Sequence, residues 1–76
     1  MIKVGDIVRT KKGSYDDKTG IRFTARVTQV EEGINTEDHG SIELCMIEAT
    51  GYEIGELEHY CYFGWQQHFE IIDELE

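Results

Sequence analysis

The side chains best suited to chemistry in this sequence are its two cysteines and three histidines, Cys45, Cys61, His39, His59 and His68. Thiolate and imidazole are ligands that zinc prefers, and together they can form a nucleophilic pair. Structural zinc normally uses closely spaced ligand pairs, and here His59 and Cys61 are the only close pair. The spacing therefore favours a buried thiol beside a hydrogen-bonded imidazole over a metal site, and we expect neither a metal nor a cofactor.

Motifs for catalysis are missing from the sequence. A cysteine nucleophile needs a nearby base and an oxyanion-stabilising turn, and no local motif supplies these to Cys45 or Cys61. His68 could approach Cys61 in the folded chain, but chance proximity is common in so small a domain. The segment from Gly51 to Gly55 lacks the Lys and Ser/Thr that follow in a phosphate-binding loop. We therefore predict a protein that is not an enzyme.

Charge is distributed unevenly along the chain, whose net charge is −9. All seven lysines and arginines precede Val27, whereas only three of the 16 acidic residues do, which leaves 13 acidic residues after Arg26. So negative a balance argues against general binding to phosphate backbones, which depends on neutralising them with Lys and Arg. It favours a basic partner, or it serves solubility alone.

Two candidate binding surfaces follow from this distribution. The first combines carboxylates with a dense aromatic stretch, because interfaces are enriched in Tyr and Trp; it comprises Glu53, Glu56, Glu58, Tyr60, Tyr62 and Trp65. If the chain alternates with His59, Cys61 and Phe63 facing inward, the two tyrosines face outward beside Trp65. In the other interpretation the aromatic residues form a wall of the core. The second surface is a basic nucleic-acid site made of Arg9, Lys11, Lys12, Lys18 and Arg22.

Alternation of apolar and polar residues predicts short β-strands. They cover residues 5–10, 22–30, 41–50, 57–63 and 69–72. A missed step before Val30 predicts a bulge or a bend. Residues 11–20 and 31–40 are rich in turn formers, and residues 65–68 suit one short helical turn near Trp65. With no segment of helical period, we predict one all-β domain over residues 1–76. Five short strands in so few residues favour a strongly bent antiparallel sheet or a small barrel, since closure removes exposed edges.

The segment Val4-Gly5-Asp6-Ile7-Val8-Arg9, the long loop after it, three central strands and a terminal Phe69-Glu70-Ile71-Ile72 resemble an SH3-like barrel of the KOW type. The resemblance implies a five-stranded barrel. Barrels of the KOW type often serve ribosomal or transcription machinery, which implies a nucleic-acid-associated role. The chain lacks the Ala-Leu-Tyr-Asp-Tyr segment and the proline of peptide-binding SH3 domains, so a groove for proline-rich peptides is not expected.

The sequence thus predicts a non-catalytic, acidic protein-interaction module that binds a protein partner with a basic surface. In style it is similar to the small inhibitors and nucleic-acid mimics that phages make against host machinery. The alternative is a KOW-like module that binds nucleic acid through the basic N-terminal loop. Residues 1–6 lack the features of a secretory signal, and no apolar run approaches the ~18 residues of a membrane span, so we expect a cytoplasmic protein that binds no membrane.

Overall fold

The computed structural model describes residues 1–35 and 37–72. In this part of the chain, five strands form one antiparallel sheet: β1 (Ile7–Thr10), β2 (Arg22–Glu32), β3 (Gly40–Thr50), β4 (Leu57–Tyr60) and β5 (Phe69–Ile72). Their order across the sheet is β4-β3-β2-β1-β5, so β4 and β5 are its edges. A one-turn helix α1 (Tyr15–Lys18) follows β1, and a 3-10 turn (Trp65–Gln67) precedes β5. The predictions of an all-β fold and of a short turn near Trp65 are confirmed.

The long β2–β3 hairpin supplies most of the core. Its inward positions alternate along both strands and are fully or almost fully buried: Phe23, Ala25 and Val27 on β2, and Ile42, Leu44 and Met46 on β3. Val27 pairs with Leu44 while Gln29 pairs with Glu43, so Thr28 is an extra residue on β2. This register shift is the bulge predicted before Val30. A bulge bends its strand and increases the local twist, which lets the hairpin curve over the core.

Aromatic side chains join the two edges of the sheet. The ring of Tyr60 on β4 lies 5.4 Å from the ring of Phe69 on β5, nearly perpendicular to it. Trp65 stacks on Phe69 at 5.4 Å, and Phe23 lies 6.0 Å from Tyr60. Among the described residues β4 and β5 do not pair through their backbones, so the sheet closes through side chains. It is therefore strongly bent.

The face of β4 that points inward is the opposite of the one considered from the sequence. Tyr60 is half-buried against the core and lies opposite Ile42 of β3, whereas His59, Cys61 and Phe63 are exposed. Both phases of residues 57–63 carry aromatic rings, so alternation alone cannot choose between them. The deciding contact is the one with Phe69, because only a large ring at position 60 reaches across to β5.

Two local elements also differ from the sequence prediction. The 11–20 loop contains α1, which begins after Ser14: the Ser14 hydroxyl accepts from the Asp17 amide, and the Asp17 carboxylate accepts from the Gly13 amide. This reciprocal capping stabilises a single turn too short to show a helical period. The fourth strand ends at Tyr60 rather than at residue 63. In the described ranges no helix has the length and hydropathy needed to cross a membrane.

Phe69→Ala should destabilise the domain by about 3–5 kcal/mol, because Phe69 is fully buried at the closure between the sheet edges. The matched control is Phe63→Ala, whose ring is 48% exposed and whose loss should cost less than about 1 kcal/mol. Urea unfolding followed by circular dichroism measures both. Equal stabilities for the two variants would show that the closure does not hold the fold.

Candidate interaction surface

The turn between β3 and β4 is held by its own backbone. The Gly55 amide donates to the Met46 carbonyl at 2.7 Å, and the Met46 amide donates to the Glu56 carbonyl at 2.9 Å. Within the turn, the Glu53 amide donates to the Glu56 carboxylate at 3.0 Å. Gly55 has φ +86°, a conformation that L side chains rarely adopt. The turn is therefore a defined structure.

Two apolar side chains are exposed among the carboxylates of this turn. Ile54 at its tip is 75% exposed, and Leu57 at the start of β4 is 51% exposed. They alternate with Glu53, Glu56 and Glu58. We call these five residues the acidic turn. The sequence predicted the three carboxylates as part of a binding surface but missed Ile54 and Leu57. The exposure of Ile54 could have been predicted from its place in an acidic turn bounded by two glycines.

Two carboxyl groups of the acidic turn, those of Glu56 and Glu58, interact with each other. A hydrogen bond from the Glu58 carboxyl to Glu56, together with burial and the charge of Glu56, raises the pKa of Glu58, and the same bond lowers the pKa of Glu56. When both carboxylates are ionised, their like charges repel each other. A cation beside them would relieve that repulsion.

The carboxylates of residues 31–58 have no Lys or Arg partner in the described part of the chain. The lysine and arginine ion pairs found there are Lys3–Asp6 at 2.6 Å, Arg9–Glu70 at 2.8 Å and Arg22–Asp17 at 2.7 Å. Their carboxylates all lie outside residues 31–58. Within that segment the Glu43 carboxylate accepts from the Thr28 hydroxyl at 2.8 Å and contacts the imidazole of His59 at 3.0 Å. The middle of the chain therefore presents uncompensated negative charge.

The predicted aromatic contacts lie against the core. Tyr60, Tyr62 and Trp65 are each partly buried and pack on the core cluster. The Tyr60 hydroxyl donates to the Asp16 carboxylate at 2.7 Å, which ties β4 to α1. Burial, with hydrogen bonds to Tyr52 and Asp16, raises the pKa of Tyr60. All three aromatic residues thus pack on the core while remaining partly exposed.

The residues of the predicted nucleic-acid site are partly engaged within the chain. Arg9 and Arg22 are bound by carboxylates, and the Lys11 ammonium donates to the Gln66 carbonyl at 3.1 Å. Lys12 and Lys18 are exposed. Arg9 and Arg22 line an open groove of about 260 Å³ whose wall also contains Thr10, Thr24, Thr50 and the acidic Glu48. Nearby carboxylates therefore offset much of the positive charge that a phosphate backbone would meet.

No family model, no curated protein and no solved structure matches the chain. In residues 1–35 and 37–72 no group of three or more His, Cys, Asp or Glu side chains is arranged to hold a metal ion. Assignment of function therefore depends on the geometry described above.

Tyr60→Phe should lower the free energy of unfolding at pH 7 by about 1–2 kcal/mol, because it removes the hydrogen bond to Asp16. Tyr15→Phe is the matched control, since Tyr15 is 74% exposed and should change stability by less than about 0.5 kcal/mol. Urea unfolding of both variants measures the difference. Equal effects would show that the Tyr60 hydroxyl does not stabilise the fold.

Burial of Tyr60, together with its hydrogen bonds, also predicts that stability depends on pH. The folded-state pKa of Tyr60 lies above the unfolded value of about 10, so its contribution is complete below pH ~10. This contribution is lost as the pH rises further, because Tyr60 then ionises in the unfolded chain and lowers the free energy of the unfolded state. Wild type should therefore lose more stability than Tyr60→Phe between pH ~9 and ~11. Parallel losses over that range would contradict the assignment.

Proposed function

We propose that this domain is a non-catalytic, acidic interaction module that binds a basic protein surface through the acidic turn. One observation carries the proposal: the turn combines exposed Ile54 and Leu57 with three carboxylates that have no Lys or Arg partner in the described part of the chain. Exposed apolar groups surrounded by charge are the usual anatomy of an interface, with an anchoring centre and a polar rim.

The two kinds of side chain have different roles in this proposal. The carboxylates attract a basic partner over a distance of ~8 Å at physiological ionic strength, so they set the association rate and its salt dependence. Ile54 and Leu57 lose contact with water only once the partner has docked, so they set the dissociation rate. Backbone hydrogen bonds already order the turn, so less conformational entropy is lost on binding.

An SH3-like barrel remains part of the proposal. The first four strands form a meander, and β5 returns beside β1 after a 3-10 turn. This order supports an SH3-like arrangement. The KOW-like nucleic-acid function is less well supported, because carboxylates hold Arg9 and Arg22. An inhibitor that mimics nucleic acid is a special case of the proposed module, in which the basic surface is one that normally binds nucleic acid.

Reversing the charge of Glu53, Glu56 and Glu58 to Lys should slow association with an immobilised Lys/Arg-rich peptide that contains leucines. We expect a loss of about tenfold or more in association rate, with a flatter salt dependence. The matched control reverses Glu31 and Glu32 at the end of β2 and Glu37 in the loop before β3, which alters net charge equally at the β2–β3 hairpin. Equal losses would show that net charge alone, rather than this turn, governs binding.

Ile54→Ala and Leu57→Ala should each speed dissociation from the same peptide by about 5- to 30-fold, equivalent to about 1–2 kcal/mol. Surface plasmon resonance gives both rate constants. Val4→Ala is the control, since Val4 is also apolar and 60% exposed but lies away from the turn in sequence. Unchanged dissociation in the two turn variants would contradict the assigned anchors.

A DNA resin tests the alternative, nucleic-acid function. Salt-sensitive retention on the resin would support that function if Arg9→Ala and Lys12→Ala abolish the retention.

A further inference from the structure

Cys61 and His39 lie side by side at the end of the β3–β4 hairpin remote from the acidic turn. The Cys61 sulfur Sγ is 3.8 Å from Nδ1 of His39, and both residues are exposed. The Phe63 amide donates to the His39 carbonyl at 2.9 Å, so a backbone hydrogen bond holds the two chain segments together. The pair is thus a product of strand register, although 22 positions separate its members.

The spacing of the two ligand atoms matches an edge of a tetrahedral zinc site. Zinc binds thiolate sulfur at about 2.3 Å and imidazole nitrogen at about 2.0–2.1 Å, which separates the two atoms by about 3.6 Å at a tetrahedral angle. The observed 3.8 Å is within a few tenths of an ångström of that value.

The other two ligands must come from outside the described part of the chain. No third His, Cys, Asp or Glu completes a metal cluster there, and the neighbouring His59 is held by Glu43 at 3.0 Å. β4 is an edge strand, so a second molecule can reach the pair. A second copy presents the same thiol and imidazole, and a two-fold axis through the ion would place the two pairs around it.

We propose that Cys61 and His39 form half of an intermolecular zinc site, in which two copies of this chain supply a Cys₂His₂ set to one ion. Each thiol loses its proton on binding, and each imidazole binds through neutral Nδ1 with its own proton on Nε2, so two protons are released per zinc. The two thiolates neutralise the ion. Both ligands are exposed, so the fold of each copy does not depend on the metal.

Titration of the reduced protein with zinc sulfate, in a non-chelating phosphine reductant, tests the proposal. Sedimentation velocity should show the mass doubling, saturating at one zinc per two chains, and EDTA should reverse it. Moderate salt should favour the dimer because it screens repulsion between the acidic copies. Binding should weaken as the pH falls, since protons compete for the thiolates. Cobalt(II) in place of zinc should give thiolate charge-transfer absorption.

Cys61→Ser and His39→Ala should each abolish dimerisation by zinc and the cobalt absorption. Cys45→Ser should preserve both, because the Cys45 thiol on the same hairpin contacts the Gly55 carbonyl instead. Absence of zinc binding would overturn the proposal, as would one zinc per chain without a change in mass. A dimer that forms without zinc and persists in EDTA would also overturn it. The proposed function is tested separately, since reversing charge in the acidic turn should leave the zinc stoichiometry unchanged.

Discussion

The rings of Tyr60 and Phe69 form the contact that brings the two edges of the sheet together. These residues lie on the two edge strands of an open sheet, and their approach to 5.4 Å turns that sheet into a closed layer around one core. Trp65 stacks on Phe69 from the 3-10 turn, and Asp16 fixes the Tyr60 hydroxyl from α1. A chain of 76 residues has little other apolar area with which to hold its edges together.

This closure separates the groups that hold the fold from those that remain available for binding. The core uses the inward face of β2 and β3 with the rings above, whereas the turn between β3 and β4 is held by backbone hydrogen bonds. The carboxyl of Glu56 raises the pKa of Glu58, and the carboxylates of the turn form no ion pair with Lys or Arg in the described residues. Such an arrangement costs stability through self-repulsion, and a basic partner relieves that cost.

Local patterns in the sequence predicted the strands, the bulge near Thr28 and the turn at Trp65, because each depends on neighbours along the chain. Predictions that depend on distant partners failed or were missed. The inward phase at Tyr60 is decided by Phe69, and the proximity of Cys61 to His39 is decided by hairpin register. The exposure of Ile54 follows from the turn geometry around Gly55, which composition alone suggests but does not specify.

Amide chemical shifts of the ¹⁵N-labelled protein show where a basic partner binds. A Lys/Arg-rich peptide containing leucines would be added at physiological salt, with a scrambled-charge peptide of equal length as the control. If the acidic turn is the binding surface, the largest shifts fall on residues 53–58, and Phe69 and its neighbours in the core stay unchanged. Shifts spread evenly over all acidic residues, or centred on Arg9 and Arg22, would contradict it.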